Sequence, residues 1–140
     1  MGRGSSKVGG GGGGGGGSNM NSKDSAVVKN QDALLSFKFL KKNVKDGNGE
    51  IISINDAYKR ARGTRDFYEG HLKNMGTFDD FYNSQTPSSI LFMTGKKTWD
   101  KQTARSVYNS TKARDKAIIN MSKTALKGIA AEEKRRSKKK

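Results

Sequence analysis

From residue 98 to residue 131 the chain contains no proline and only one glycine, Gly128. Proline is the residue that removes a helical hydrogen bond and clashes with the preceding turn, so this stretch has nothing in it that stops a helix. A long carboxy-terminal helix is therefore the element that any fold of this chain must accommodate.

The same stretch has a second regularity. Lys101, Lys112, Lys123 and Lys134 recur every eleven residues, and Arg105, Lys116, Lys127 and Lys138 recur with the same step, four residues later. Eleven residues are close to three helical turns, so each series drifts only about 20° per repeat. All eight side chains fall in a stripe about 100° wide and, over the whole run, about 55 Å long. Val107, Ile118 and Ile129 share the step on a separate face, with Ala104, Thr111, Ala125 and Leu126 beside them, roughly 140° from the cations. The expected object is an amphipathic helix with a packing side and a cationic side.

A row of lysines on a surface helix is ordinarily just a solvated face. Here, however, the neighbours four apart within the stripe are all like-charged: Lys101–Arg105, Lys112–Lys116, Lys123–Lys127 and Lys134–Lys138. Each such pair costs a few tenths of a kcal/mol, where alternating signs would gain as much. An uncompensated row makes physical sense if an anion lies along it. Lysine dominates, which suits phosphate tracking better than base reading, where Arg, Asn and Gln lead.

Charge elsewhere supports a two-pole molecule. The formal net charge is +15. Residues 96–140 hold fifteen basic against four acidic groups, whereas residues 66–95 hold only Lys73 against Asp66, Glu69, Asp79 and Asp80. Such a balance selects anionic partners and says nothing of fold. The absence of cysteine excludes a disulfide framework, thiolate metal sites and a cysteine nucleophile. No apolar run reaches the 18–20 residues of a membrane span and no secretory signal is visible, so a cytoplasmic location is expected.

Residues 9–17 are an unbroken glycine tract inside a leader of Gly, Ser and Asn. Such a segment buries too little apolar surface to offset its ordering entropy, so residues 1–22 are expected to form a disordered arm spanning about 25 Å. Residues 132–140 are almost wholly charged and are expected to fray as a basic tail. The fold is expected in residues 23–131.

Within it, residues 25–42 fit a first helix, although the spacing of Phe37 and Phe39 equally suits a strand. Asp46-Gly47-Asn48-Gly49 is a turn, followed by Ile51, Ile52 and Ile54 as a short extended lead. Asn55 and Asp56 can cap a short helix over residues 57–62. A further helix fits residues 66–75, stopped by Gly76. Thr77 with Asp80 has the pattern of a capping box, with Phe78, Phe81 and Tyr82 on one face before Pro87. The apolar run at residues 89–94 reads as a buried strand or core linker. The expected fold class is mainly α: a small single domain with the long carboxy-terminal helix, and a minor β element.

Other motifs carry less. Residues 46–51 resemble the middle of an EF-hand loop, but its end positions fall on Val44 and Asn55, without the required carboxylates. Met1-Gly2 with Ser6 meets the loose myristoylation pattern. The glycine tract lacks the Lys-Ser/Thr ending of a phosphate loop. Residues 134–140 resemble a nuclear-localisation or RNA-binding tail. His71, the single histidine, reads as half-buried structure, and no catalytic or metal-binding grouping can be assembled. No cofactor is expected.

The opening Met-Gly-Arg-Gly-Ser-Ser-Lys before the glycine tract resembles the leaders of small proteins from phages and prophages of Gram-positive bacteria. That resemblance implies a mobile-element origin, where small non-enzymatic proteins bind DNA or block host machinery, anti-CRISPR proteins among them. The functional expectation is a non-enzymatic binder of nucleic acid or a nucleoprotein through Lys101, Arg105, Lys112, Lys116, Lys123, Lys127, Lys134 and Lys138. The alternatives are a protein–protein inhibitor with an acidic partner, such as a host nuclease complex, and a membrane-surface binder.

Overall fold

The computed structural model describes residues 20–138; the glycine tract, Arg3, Lys7, the myristoylation pattern and the last two lysines lie outside the described residues. Five helices and three short strands follow in the order α1 (Ser22–Leu35), β1 (Lys38–Phe39), β2 (Asn43–Lys45), β3 (Ile51–Ser53), α2 (Ile54–Met75), α3 (Phe78–Ser84), α4 (Pro87–Thr94) and α5 (Lys101–Lys138). The class is mainly α, as the sequence implies.

α5 is the spine. Its 38 residues extend about 57 Å, and α1, α2 and α3 all pack on it. Asp100 begins the helix: its carboxylate accepts from Thr103 N at 2.7 Å. That bond holds the Asp100 carboxyl below its usual pKa, with the Thr103 side chain adding to the effect.

The core is in two parts along this spine. Near the carboxy-terminal half, Leu35, Val44, Ala57, Ala61 and Ile129 are buried together, with Phe39, Ile52 and Leu126 against them. Near the amino-terminal half the buried set is aromatic, Met75, Phe81 and Tyr108, flanked by Phe78, Trp99 and Val107. Ile118 is fully buried on the same face of α5.

The strands form an antiparallel sheet in the order β1-β2-β3, with Phe39 opposite Val44 and Val44 opposite Ile52. The β2–β3 turn is fixed by Asp46, whose buried carboxylate accepts from Asn48 N and Glu50 N and pairs with Arg60 at 2.7 Å. Arg60 first, then those two amides, holds the Asp46 carboxyl below its usual pKa against the opposing cost of burial. Gly47 N donates to Ala33 O at 2.7 Å, and a Cβ at Gly47 would stand 2.6 Å from that oxygen, so only glycine lets the turn dock on α1.

Several local expectations are corrected. α1 begins at Ser22, with Asn21 Oδ1 accepting from Asp24 N as its cap, so residues 20–22 belong to the fold rather than the arm. It stops at Leu35 instead of running to residue 42, because Phe37 and Phe39 follow the strand alternation and the Ser36 hydroxyl caps back onto Asp32 O. Residues 57–62 and 66–75 are one helix, α2, capped by Ser53 rather than Asn55 or Asp56. Gly63 lies inside it with open space where a Cβ would be, and costs the helix only about 1 kcal/mol.

Pro87 does not end a turn but opens α4 at its first position, with Thr86 as cap and Gly95 (φ 71°) closing it. The run at residues 89–94 is therefore helix, not strand, and only Ile90 in it is buried. Leu91 and Phe92 are exposed, Phe92 by 74%. Residues 132–138 do not fray either. Glu132 is buried and bonded to Arg135 and Arg136, and Arg136 also donates to the carbonyl oxygen of Leu40, tying the last turns of α5 to the sheet end.

Candidate nucleic-acid interface

Because α5 is continuous, the eight cations do share one stripe. Lys101, Arg105, Lys116, Lys123, Lys127, Lys134 and Lys138 are exposed, and Lys112 is half-buried. The opposite side packs into the body, centred on Ala104, Thr111, Ile118, Ser122 and Ile129. Charged ridge and buried seam thus run parallel along the same helix.

Two details depart from the sequence reading. Val107 is only half-buried, and Tyr108, one residue on, is the aromatic anchor there, its hydroxyl donating to Gly76 O at 2.8 Å. The row is also not wholly uncompensated: Glu69 of α2 stands 3.9 Å from Lys123, in a pair exposed on both sides and worth little in water.

The ridge has two different ends. At its beginning, Arg105 Cζ lies 3.8 Å from the centroid of the Phe78 ring, Lys101 Nζ 5.9 Å from that of Tyr82, and Lys112 Nζ 5.3 Å from that of Tyr108. Tyr108 is on α5 itself, while the Phe78 and Tyr82 rings come from α3, whose capping box places them: Thr77 Oγ1 accepts from Asp80 N, and the Asp80 carboxylate accepts from Thr77 N. Further along, Lys116, Lys127, Lys134 and Lys138 have neither a ring within cation–π reach nor a carboxylate within 4.0 Å among the described residues.

A second polar constellation was not legible in the sequence. Asp115, fully buried on α5, receives Arg114 at 2.9 Å and pairs with His71 Nδ1 at 2.6 Å. Arg114 also reaches Asp24 of α1, which accepts from the Ser110 hydroxyl at 2.6 Å, and Ser110 Oγ accepts from Asn21 N. The links of this network between helices span 44 to 90 residues of chain, so no local spacing reveals them. It borders a cleft of about 350 Å³ lined by all five helices, among them Lys23, His71, Asn74, Phe81, Met93 and Val107. His71 is exposed there, by 43% of its side chain, rather than half-buried as expected, and its ring orientation is fixed by a carboxylate.

The network joins α1 and α5 through ion pairs and α2 through the His71 hydrogen bond, so that each buried carboxylate has partners, the condition under which buried charge is tolerated. Among the described residues no three His, Asp or Glu side chains converge as metal ligands. No helix among them is long and apolar enough to cross a membrane. No family model, curated protein or solved structure matches the chain.

Proposed function

We propose that this chain is a non-enzymatic binder of nucleic acid, free or in a nucleoprotein, encoded by a phage or other mobile element, and that the α5 ridge is its contact surface. What supports the reading is one observation: eight cations at an eleven-residue step on a single continuous helix, seven of them exposed. Like-charged neighbours on consecutive turns repel one another, and a phosphate backbone lying along them relieves that repulsion while releasing condensed counterions.

The geometry favours backbone contact over sequence reading. Lysine heads on flexible stems track phosphates as point charges, and the ridge has few of the bidentate groups that discriminate base edges. Affinity is therefore expected to depend strongly on salt and weakly on sequence.

Replacing Lys112, Lys116, Lys123 and Lys127 by Glu tests the assignment. Electrophoretic shifts of duplex DNA and of RNA should vanish while the circular dichroism spectrum stays helical. Retained binding in a folded variant removes the ridge as the site.

A second reading, inhibition of a host nuclease complex by protein–protein contact, draws on Leu91 and Phe92, two large apolar side chains exposed side by side on α4. Ridge substitutions would leave that activity standing, and Phe92→Ser would remove it.

A further inference from the structure

We propose that the amino-terminal end of the ridge is a single-strand site, in which Arg105 clamps a phosphate and Tyr82 offers a stacking face to an unpaired base. The proposal rests on the nucleic-acid reading of the ridge and narrows it from any polyanion backbone to unpaired DNA or RNA.

The argument begins with register. Phe78 and Tyr82 are four residues apart on α3, and Lys101 and Arg105 are four apart on α5. The two helices lie side by side so that Phe78 meets Arg105 and Tyr82 meets Lys101, one ring and one cation per turn. Phe78 and Tyr82 are near parallel, at 17° with centroids 5.8 Å apart, and Tyr82 and Trp99 at 19° and 6.2 Å. Three offset rings thus form a ladder beside the start of the charged row, with Tyr82 in the middle, and the face it offers is the part that the offset of Phe78 and Trp99 leaves uncovered. All three are half-buried, unlike Phe81 and Tyr108, which hold the core behind them.

The two cations are held differently. Arg105 Cζ at 3.8 Å is in van der Waals contact with the Phe78 face, so its guanidinium is oriented before any ligand arrives. No carboxylate lies within 4.0 Å of it among the described residues, whereas Arg60, Arg65, Arg114, Arg135 and Arg136 are ion-paired, and Arg62, which shares the lack of a carboxylate, stands 5.5 Å from its ring rather than against it. A flat, pre-oriented and electrostatically unsatisfied guanidinium is the bidentate partner of a phosphate. Lys101 Nζ stands back from Tyr82 at 5.9 Å on a flexible stem and can swing aside to admit a base.

Ligand class follows from what each nucleic acid exposes. A duplex shows a convex helix its phosphates and keeps its base faces stacked inside, so rings beside the ridge add nothing to it. A single strand carries free π-faces, and aromatic side chains along a basic track are how proteins hold it without sequence preference. The five later ridge cations have no such rings among the described residues, which confines the single-strand feature to this end.

The test uses the full chain with a fluorescein-labelled oligothymidylate and a duplex of the same length, read by anisotropy at one salt concentration. Tyr82→Leu is expected to weaken the single strand about tenfold and the duplex by less than about twofold, and Tyr82→Phe to restore binding. Arg105→Lys keeps the charge and is expected to weaken the single strand several-fold. Trp99 fluorescence should change on adding oligothymidylate and not on adding duplex. Equal effects of Tyr82→Leu on both probes, or on neither, overturn the single-strand site. Should Tyr82→Leu fail to fold, Arg105→Lys and Trp99 decide: equal losses for both probes with a silent tryptophan overturn it. Failure of the wild-type chain to bind either probe removes the ridge reading itself, whereas tight binding to both that no ring substitution alters removes only this inference.

Discussion

The two faces of α5 are built from the same helix and obey opposite rules. On the inner face, Ala104, Ile118 and Ile129 are fully buried and even the polar members have partners: Ser122 donates to Ile118 O, Asp115 holds Arg114 and His71, Glu132 holds Arg135 and Arg136. On the outer face eight cations stand with one loose carboxylate among them in the described residues. Where water is excluded every charge has been matched, and where it is present the charges are left to repel. Stability and recognition are thereby assigned to different sides of one element, which can be tested separately.

The largest effect is expected on the inner face at Asp115. Asp115→Ala leaves His71 without its carboxylate and Arg114 with Asp24 alone, and should lower stability by about 3–5 kcal/mol, measured by urea denaturation. Ile129→Ala, in the aliphatic part of the core, should cost about 2–5 kcal/mol through the cavity it leaves, with nucleic-acid binding by the remaining folded protein unchanged.

Acid provides a third way to separate the faces. Arg135 and then Arg136 hold the Glu132 carboxyl down at about 2. A depressed carboxylate stabilises the fold above its unfolded pKa of ~4.3, and that contribution is lost as the pH falls from there toward about 2. Thermal melts should therefore fall over this window, and fall less in Glu132→Gln, which has already lost the charge. An identical pH profile in the two proteins contradicts the clamp. The smallest effect belongs to the outer face. Lys116→Glu turns the Lys112–Lys116 repulsion into an attraction and should raise stability by a few tenths of a kcal/mol while weakening nucleic-acid binding.

The sequence made legible what is local and repetitive. A proline-free run with an eleven-residue step specified α5 and its stripe, Gly76 marked the end of α2 and its positive φ, and Thr77 with Asp80 marked the start of α3. It misled where a local signal was overruled by packing. Residues 57–62 and 66–75 read as two helices, yet Ala57 and Ala61 are fully buried, and that burial helps carry one helix through Gly63. At α4 the signal was present but read in the wrong order: Thr86 and Pro87 are a helix start, and the apolar run behind them took helical form because its two ends are capped.

The candidate site divided in the same way. The ridge depends on spacing within one helix, so its eight residues could be named in advance. The ring–cation register between α3 and α5, and the Asp24–Arg114–Asp115–His71 network, depend on which helices become neighbours, and no spacing in the chain encodes that. The tail is the intermediate case. Its charge suggested fraying, but Glu132 faces inward and Arg136 reaches a backbone carbonyl near the sheet, so two of the residues that implied disorder are the ones that order it.

The claim on which the account depends is that the outer face meets a phosphate backbone as one continuous surface. Affinity for duplex DNA measured across a salt series addresses it directly. Eight ridge contacts predict a log–log slope of about −7, and reversing four of them should abolish binding. A shallow slope, or the same slope in wild-type protein and in the variant with Lys112, Lys116, Lys123 and Lys127 changed to Glu, would contradict it.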